Sequence, residues 1–156
     1  MARKRPTLMA VQGAALIMGT AYLLLGALGF VPGVTAHHDS LLWAGHGSDA
    51  ELFGIFAVSG LHNVVHLAYG AAGMLCARTY SASRAYLLIG GAALVGLWAY
   101  RMASGQSDFA QIFPLNRADS WLHFGLGVVM VLLGLTLAAQ HDPTKPRRRI
   151  RAKARA

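Results

Sequence analysis

Leu61-His62-Asn63-Val64-Val65-His66-Leu67-Ala68-Tyr69-Gly70 is the stretch that decides the fold, because it sets two histidines four residues apart within an apolar segment. A weaker version lies 57 positions later, where Trp121–Gly127 places His123 in register with His66. The residues just before each stretch also agree, since Ile112–Asn116 repeats the pattern of Ile55–Ser59. This self-similarity predicts an internal repeat of two related units.

The composition favours a membrane protein over a soluble one. The chain has 156 residues, enough for one domain, of which 55% are hydrophobic and 13% charged. The net charge is +8, and seven of the 14 basic residues lie after residue 144. A basic segment beside apolar runs is typical of a topology signal and of binding to anionic lipid headgroups, so we expect no nucleic-acid partner. The single cysteine, Cys76, excludes an internal disulfide and a cysteine-rich metal site.

Four apolar runs predict an all-α, integral membrane four-helix bundle. A helix needs roughly 20 apolar residues to cross the bilayer, and the predicted spans are about 8–31, 61–77, 85–103 and 121–139. They form a membrane domain over 8–140, between a basic N-terminus (1–7) and a basic tail (141–156) that is predicted to be disordered. The first run could instead be a signal peptide, but its 24 residues exceed the usual apolar core of about 7–15 residues.

The segments between the spans carry their own predictions. Pro32 and Gly33 end the first helix, and a short surface helix over residues 52–56 follows a cap at Ser48 and Asp49. Residues 78–84 form a short basic turn. Residues 104–120 form a second outer loop, the first being the segment between the first two spans. In both loops a capping residue is followed by apolar residues.

The distribution of charge orients the predicted bundle. The N-terminus, the 78–84 turn and the tail hold 12 of the 14 basic residues, whereas the two outer loops hold five of the six acidic ones. The positive-inside rule therefore places both termini in the cytoplasm and the spans in the inner (plasma) membrane. Each unit then starts and ends inside, so the two hairpins are parallel repeats about an axis along the membrane normal.

The second and fourth spans each combine polar side chains with glycine on one helical face. These faces are His62, His66, Gly70, Gly73 and Ala77 in one span, and Asp119, His123, Gly127, Met130 and Gly134 in the other. Small residues on a polar face indicate packing against protein rather than lipid. We therefore expect a polar cluster formed by His62, Asn63, His66, Asp119, Ser120 and His123. The glycines predicted to pack helices are Gly19, Gly26, Gly70, Gly73, Gly127 and Gly134.

In these residues the chain resembles a bacterial four-span membrane family catalogued as domain of unknown function 4383. The resemblance rests on Gly29–Gly33, on Leu61–Leu67 with the glycines that follow, and on Pro114–Asn116 with Trp121–His123. It covers roughly residues 10 to 140. It implies a four-helix integral membrane protein of bacteria and no activity.

Three interpretations compete for the polar cluster. In the first it is a structural hydrogen-bond network, in which Asp119 caps the fourth span and His62 and Asn63 cap the second. In the second, His62, His66 and His123 bind zinc, copper or iron, or two histidines on facing helices serve as axial ligands of a haem. In the third the histidines form a proton or small-solute pathway, which four short helices would complete only as an oligomer.

The remaining candidates are weaker, and we predict no catalytic residue. His37, His38 and His46 lie in a loop that solvates them, and Cys76 is expected to be a packed, inert thiol. The chain has no serine–histidine–aspartate pattern and no glycine-rich phosphate loop. We therefore expect a non-enzymatic accessory or structural membrane component, without a cofactor under the first interpretation, that acts with a second copy or a membrane-protein partner.

Overall fold

The computed structural model describes residues 8–45, 47–104, 114 and 116–137, and these are mostly helical. The helices are α1 (Ala10–Leu28), α2 (Gly60–Cys76), α3 (Tyr80–Ala85), a π-helical segment (Tyr86–Gly90), α4 (Gly91–Ser104) and α5 (Arg117–Thr136). Helix α3, the π segment and α4 follow one another without a break. The predicted N-terminus, most of the second outer loop and the basic tail lie outside the described residues.

The helices pack as two antiparallel hairpins. In the first, Gln12 near the start of α1 donates a hydrogen bond to the carbonyl of Ala77 after the end of α2. In the second, Trp98 of α4 packs against Phe124 of α5, with ring centroids 4.5 Å apart. Within the described residues, three helices are long and apolar enough to cross a membrane, namely Ala10–Leu28, Tyr80–Ala103 and Arg117–Thr136. Helix α2 is shorter, with 17 residues.

Side-chain caps explain where α2 and α3 begin. Ser59 accepts a hydrogen bond from the backbone N–H of His62, and Thr79 accepts one from that of Ala82. The Thr79 cap corrects the predicted basic turn at 78–84, because a helix already begins at Tyr80. The predicted caps of the second span are also wrong, since Ser59 fills the role given to His62 and Asn63.

The loop between α1 and α2 forms a small sheet, which corrects the predicted surface helix over residues 52–56. Strands β1 (Thr35–Ala36), β2 (Glu51–Leu52) and β3 (Phe56–Ala57) pair antiparallel in that order. The β2–β3 turn uses positive φ angles at Phe53 (56°) and Gly54 (67°), which interrupt any helix there. The hydroxyl of Ser48 donates to the carbonyl of Val58 across 2.6 Å and fastens the loop to the entry of α2.

Glycines let the helices of each hairpin approach to backbone contact. A Cβ atom added at Gly70 would lie 2.6 Å from the carbonyl oxygen of Gly19, and one added at Gly127 would lie 2.8 Å from that of Gly91. The other predicted packing glycines, Gly26, Gly73 and Gly134, would also collide with a neighbouring helix. Gly91 takes part in the same way and was not predicted. Backbone contact of this kind is how helices associate where there is no water to drive them together.

Candidate functional site

Two of the three histidines of the polar cluster, His66 and His123, lie at matched positions in α2 and α5. His66 is the seventh residue of α2 and His123 the seventh of α5, which puts both about 9 Å along the helix axis at a rise of about 1.5 Å per residue. The residue just before each helix caps it by accepting a hydrogen bond from the backbone N–H of the third helical residue. Ser59 does this in α2, and Asn116 does it in α5 by accepting from the N–H of Asp119.

The histidine rings meet through their Nε2 atoms. Nε2 of His66 lies 3.2 Å from Nε2 of His62 and 3.3 Å from Nε2 of His123. One potential ligand nitrogen from each ring falls within 4.8 Å of the others. The relative exposures of His62, His66 and His123 are only 3%, 7% and 5%. The three imidazoles therefore form a buried cluster that joins the first hairpin to the second.

Tyrosine rings pack beside the cluster. Tyr22 of α1 lies with its ring centroid 5.5 Å from that of His66, and Tyr69 packs edge-on against Tyr22 at 4.6 Å. The hydroxyl of Tyr69 is 3.8 Å from the sulfur of Met130, a weak contact across the two hairpins. These rings restrict the rotamers of His66, because a buried neighbour leaves the imidazole little room to turn.

The other three residues of the predicted polar cluster do different work. Asp119 is part of the α5 cap, where its Oδ2 accepts from the backbone N–H of Asn116 at 3.2 Å. Ser120 donates to the carbonyl of Asn116. Asn63 is fully buried against Gly29, and its amide has no hydrogen-bond partner within the described part of the chain. The structure thus brings together three of the six predicted side chains, all of them histidines.

Asn116 is the residue of this region that the sequence analysis missed. Besides capping α5, its side-chain amide donates to the carbonyl of Ile55 at 2.6 Å and ties the second hairpin to the small sheet. It also lines an open cavity of about 390 Å³ with His37, Ser48, Asp49, Glu51, Ala57 and Pro114. The signal was present in the sequence, because Asn116 stands three residues before Asp119 and this spacing predicts a reciprocal cap.

The two described loop histidines, His37 and His38, are not part of the cluster. His37 is exposed, and Nε2 of His38 lies 3.2 Å from the carbonyl oxygen of Phe30. The predicted loop residue His46 lies outside the described residues. Cys76 is half-buried at the end of α2 and is a free thiol.

Comparison with known proteins places the chain in a family. No curated protein and no solved structure matches it. A family model described as a domain of unknown function does match, and it covers residues 12–136, which include both hairpins and all three histidines. The chain therefore belongs to the DUF4383 family of domains of unknown function.

Proposed function

We propose that the protein is a four-span integral membrane protein of the bacterial plasma membrane that serves as a non-enzymatic accessory or structural component. Its two hairpins are parallel repeats, and both termini are cytoplasmic. The basic tail binds anionic lipid headgroups, and the lipid-facing surface provides contacts for a second copy or a membrane-protein partner.

The observation that carries this proposal is the apolar outer surface of the bundle. Beside an apolar core that includes Leu87 and Met130, the interior holds histidine, asparagine, aspartate and serine side chains, and many further large apolar side chains are exposed. Relative exposure is 70% for Ile17 of α1, 58% for Leu75 of α2 and 71% for Ile89 of the π segment. Soluble monomers rarely expose large apolar patches, and a bilayer is the solvent that suits helices with so many exposed apolar side chains.

Helix α2, the second along the chain, completes the set of four spans in this proposal. Its 17 residues span about 26 Å at a rise of about 1.5 Å per residue, close to the roughly 30 Å of the hydrocarbon core. It contains no Asp, Glu, Lys or Arg, and it exposes Val64, Val65, Met74 and Leu75. Its antiparallel packing on α1 also supports a membrane hairpin, since the first helix is long enough to cross.

Labelling of single cysteines tests the spans and their orientation. In a Cys76→Ser background, Asp39→Cys reports on the loop between α1 and α2, and Ser81→Cys reports on the segment after α2. Both positions are exposed. We expect a membrane-impermeant maleimide to label Asp39→Cys in intact spheroplasts and to label Ser81→Cys only after permeabilisation.

The result that would refute the four-span arrangement is equal labelling of both positions in intact spheroplasts, because α2 would then not cross. The structural role has its own test in proteoliposomes. A pH-driven proton flux that His66→Ala abolishes in a folded protein would contradict it and favour a conducting oligomer. We expect the unmodified protein and His66→Ala to show the same background proton flux.

A further inference from the structure

We propose that His62, His66 and His123 bind one divalent transition-metal ion through their Nε2 atoms, with Zn²⁺ as the ion that fits the geometry best. This site goes beyond a structural role for the bundle. Two ligands come from successive turns of α2 and the third from α5, so the bound ion connects the two hairpins.

The first argument is the spacing of the nitrogens. A tetrahedral ion with metal–nitrogen bonds of about 2.0–2.1 Å holds its ligand nitrogens about 3.3–3.4 Å apart. The two distances from Nε2 of His66 are 3.2 Å and 3.3 Å. Two edges of the required triangle are therefore already formed, and the third, between the nitrogens of His62 and His123, is no longer than 4.8 Å.

The second argument is that hydrogen bonds alone do not satisfy Nε2 of His66. A neutral imidazole nitrogen is either a donor with one proton or an acceptor with one lone pair. Nε2 of His66 faces two other ring nitrogens, so it makes one well-directed hydrogen bond at most and leaves the second contact unsatisfied. An ion at the centre accepts all three lone pairs at once, and the ring protons then lie on Nδ1.

The third argument is that the ligands are already held in place. His62 and His66 share one face of α2 at a spacing of four residues, and the Ser59 cap fixes the start of that helix. Nδ1 of His66 is buried and has no hydrogen-bond partner among the described residues. Packing against Tyr22 therefore orients this ring, a task that an outer hydrogen bond performs in many metal sites.

The same distances argue against haem. Two axial nitrogens on opposite sides of one metal lie about 4 Å apart, twice a metal–nitrogen bond of about 2 Å, with the porphyrin between them. Nε2 of His66 and Nε2 of His123 are 3.3 Å apart, and His62 already occupies the space beside them. Imidazole suits zinc, copper, iron and nickel, so the class of ligand is a single ion of this group.

The test is a titration of the full-length protein with Zn²⁺ after purification in mild detergent without a histidine tag and after treatment with chelator. We expect one ion per chain. His66→Asn and His123→Asn should each weaken binding by more than roughly 100-fold, because loss of even an outer-shell partner costs about 10–100-fold. The matched control is His37→Asn, an exposed loop histidine at φ 49°, which asparagine tolerates. It should bind Zn²⁺ as the unmodified protein does.

X-ray absorption of the unmodified zinc-loaded protein gives a second readout that does not depend on the folding of any variant. We expect a first shell with three imidazole nitrogens. The proposal is overturned if the unmodified protein binds no Zn²⁺, if both cluster variants fold and retain the full stoichiometry, or if the first shell lacks imidazole.

Discussion

Gly127→Ala tests whether backbone contact between α4 and α5 stabilises the second hairpin. The added methyl group would lie 2.8 Å from the carbonyl oxygen of Gly91, whereas ordinary contact begins at 3.4 Å, so the helices must separate by about 0.6 Å. Overpacking of this kind costs about 1–3 kcal/mol. Alanine returns up to about 1 kcal/mol through its higher helix propensity. With the full return, we expect a net loss of about 0–2 kcal/mol in the free energy of unfolding, and a loss of about 1–3 kcal/mol relative to an alanine on the same helix that meets no neighbour.

Gly125→Ala is the matched control, because Gly125 lies two residues away on the exposed face of α5 with nothing within 4 Å of an added Cβ. It should leave stability unchanged or raise it by up to about 1 kcal/mol. Thermal unfolding of both variants in the same detergent measures the difference. A change of 1 kcal/mol corresponds to about 2–4 °C in a chain of this size. Equal melting temperatures for the two variants would refute close packing at Gly127.

Three further predictions follow from single contacts. Asn116→Ala should lower stability by about 0.5–2 kcal/mol through loss of the cap. Asn116→Asp should keep the cap and lose only the bond to the Ile55 carbonyl. Hydrogen exchange at the start of α5 would distinguish the two variants. Saturation with Zn²⁺ at a hundredfold excess over Kd should stabilise the bundle by about 2.7 kcal/mol, and a melting shift that persists in His123→Asn would place the ion elsewhere. Asn63→Leu should lower stability by less than about 1 kcal/mol or raise it, because a buried amide without partners costs about 1–3 kcal/mol. A larger loss on thermal unfolding would mean that the amide is hydrogen-bonded in the bundle.

The sequence predicted the histidine cluster because helical spacing leaves few alternatives. Side chains four residues apart share a face, and a face that also carries glycine turns toward protein. This reasoning is enough to select His66 and His123 from the sequence. It also places Asp119 and Ser120 in the same cluster, although one interpretation already gives Asp119 a capping role, because a helix cap depends on the backbone at the helix start and not on the face of the helix.

The loop between α1 and α2 resisted prediction for a local reason. Leu52, Phe53, Ile55 and Phe56 have helical spacing, yet Gly54 interrupts them and permits a tight turn. Strands of only two residues give no alternating pattern long enough to detect. Their pairing depends on distant residues such as Thr35, so the sequence around the turn does not contain the information.

The π segment accounts for one misalignment between the predicted repeats. An alignment of the first and third spans on their glycines pairs Gly19 with Gly90, whereas the residue that approaches Gly127 as Gly19 approaches Gly70 is Gly91. A π turn accommodates one residue more than an α turn, and Tyr86–Gly90 lies immediately before Gly91. The extra residue shifts the glycine by one position while the contact is retained. In α2 and α5 the 57-residue offset needs no such correction, because His66 and Gly70 correspond directly to His123 and Gly127. The helices that carry the histidines thus keep the register on which the metal site depends, and the irregular turn lies on the helix that carries none of the three.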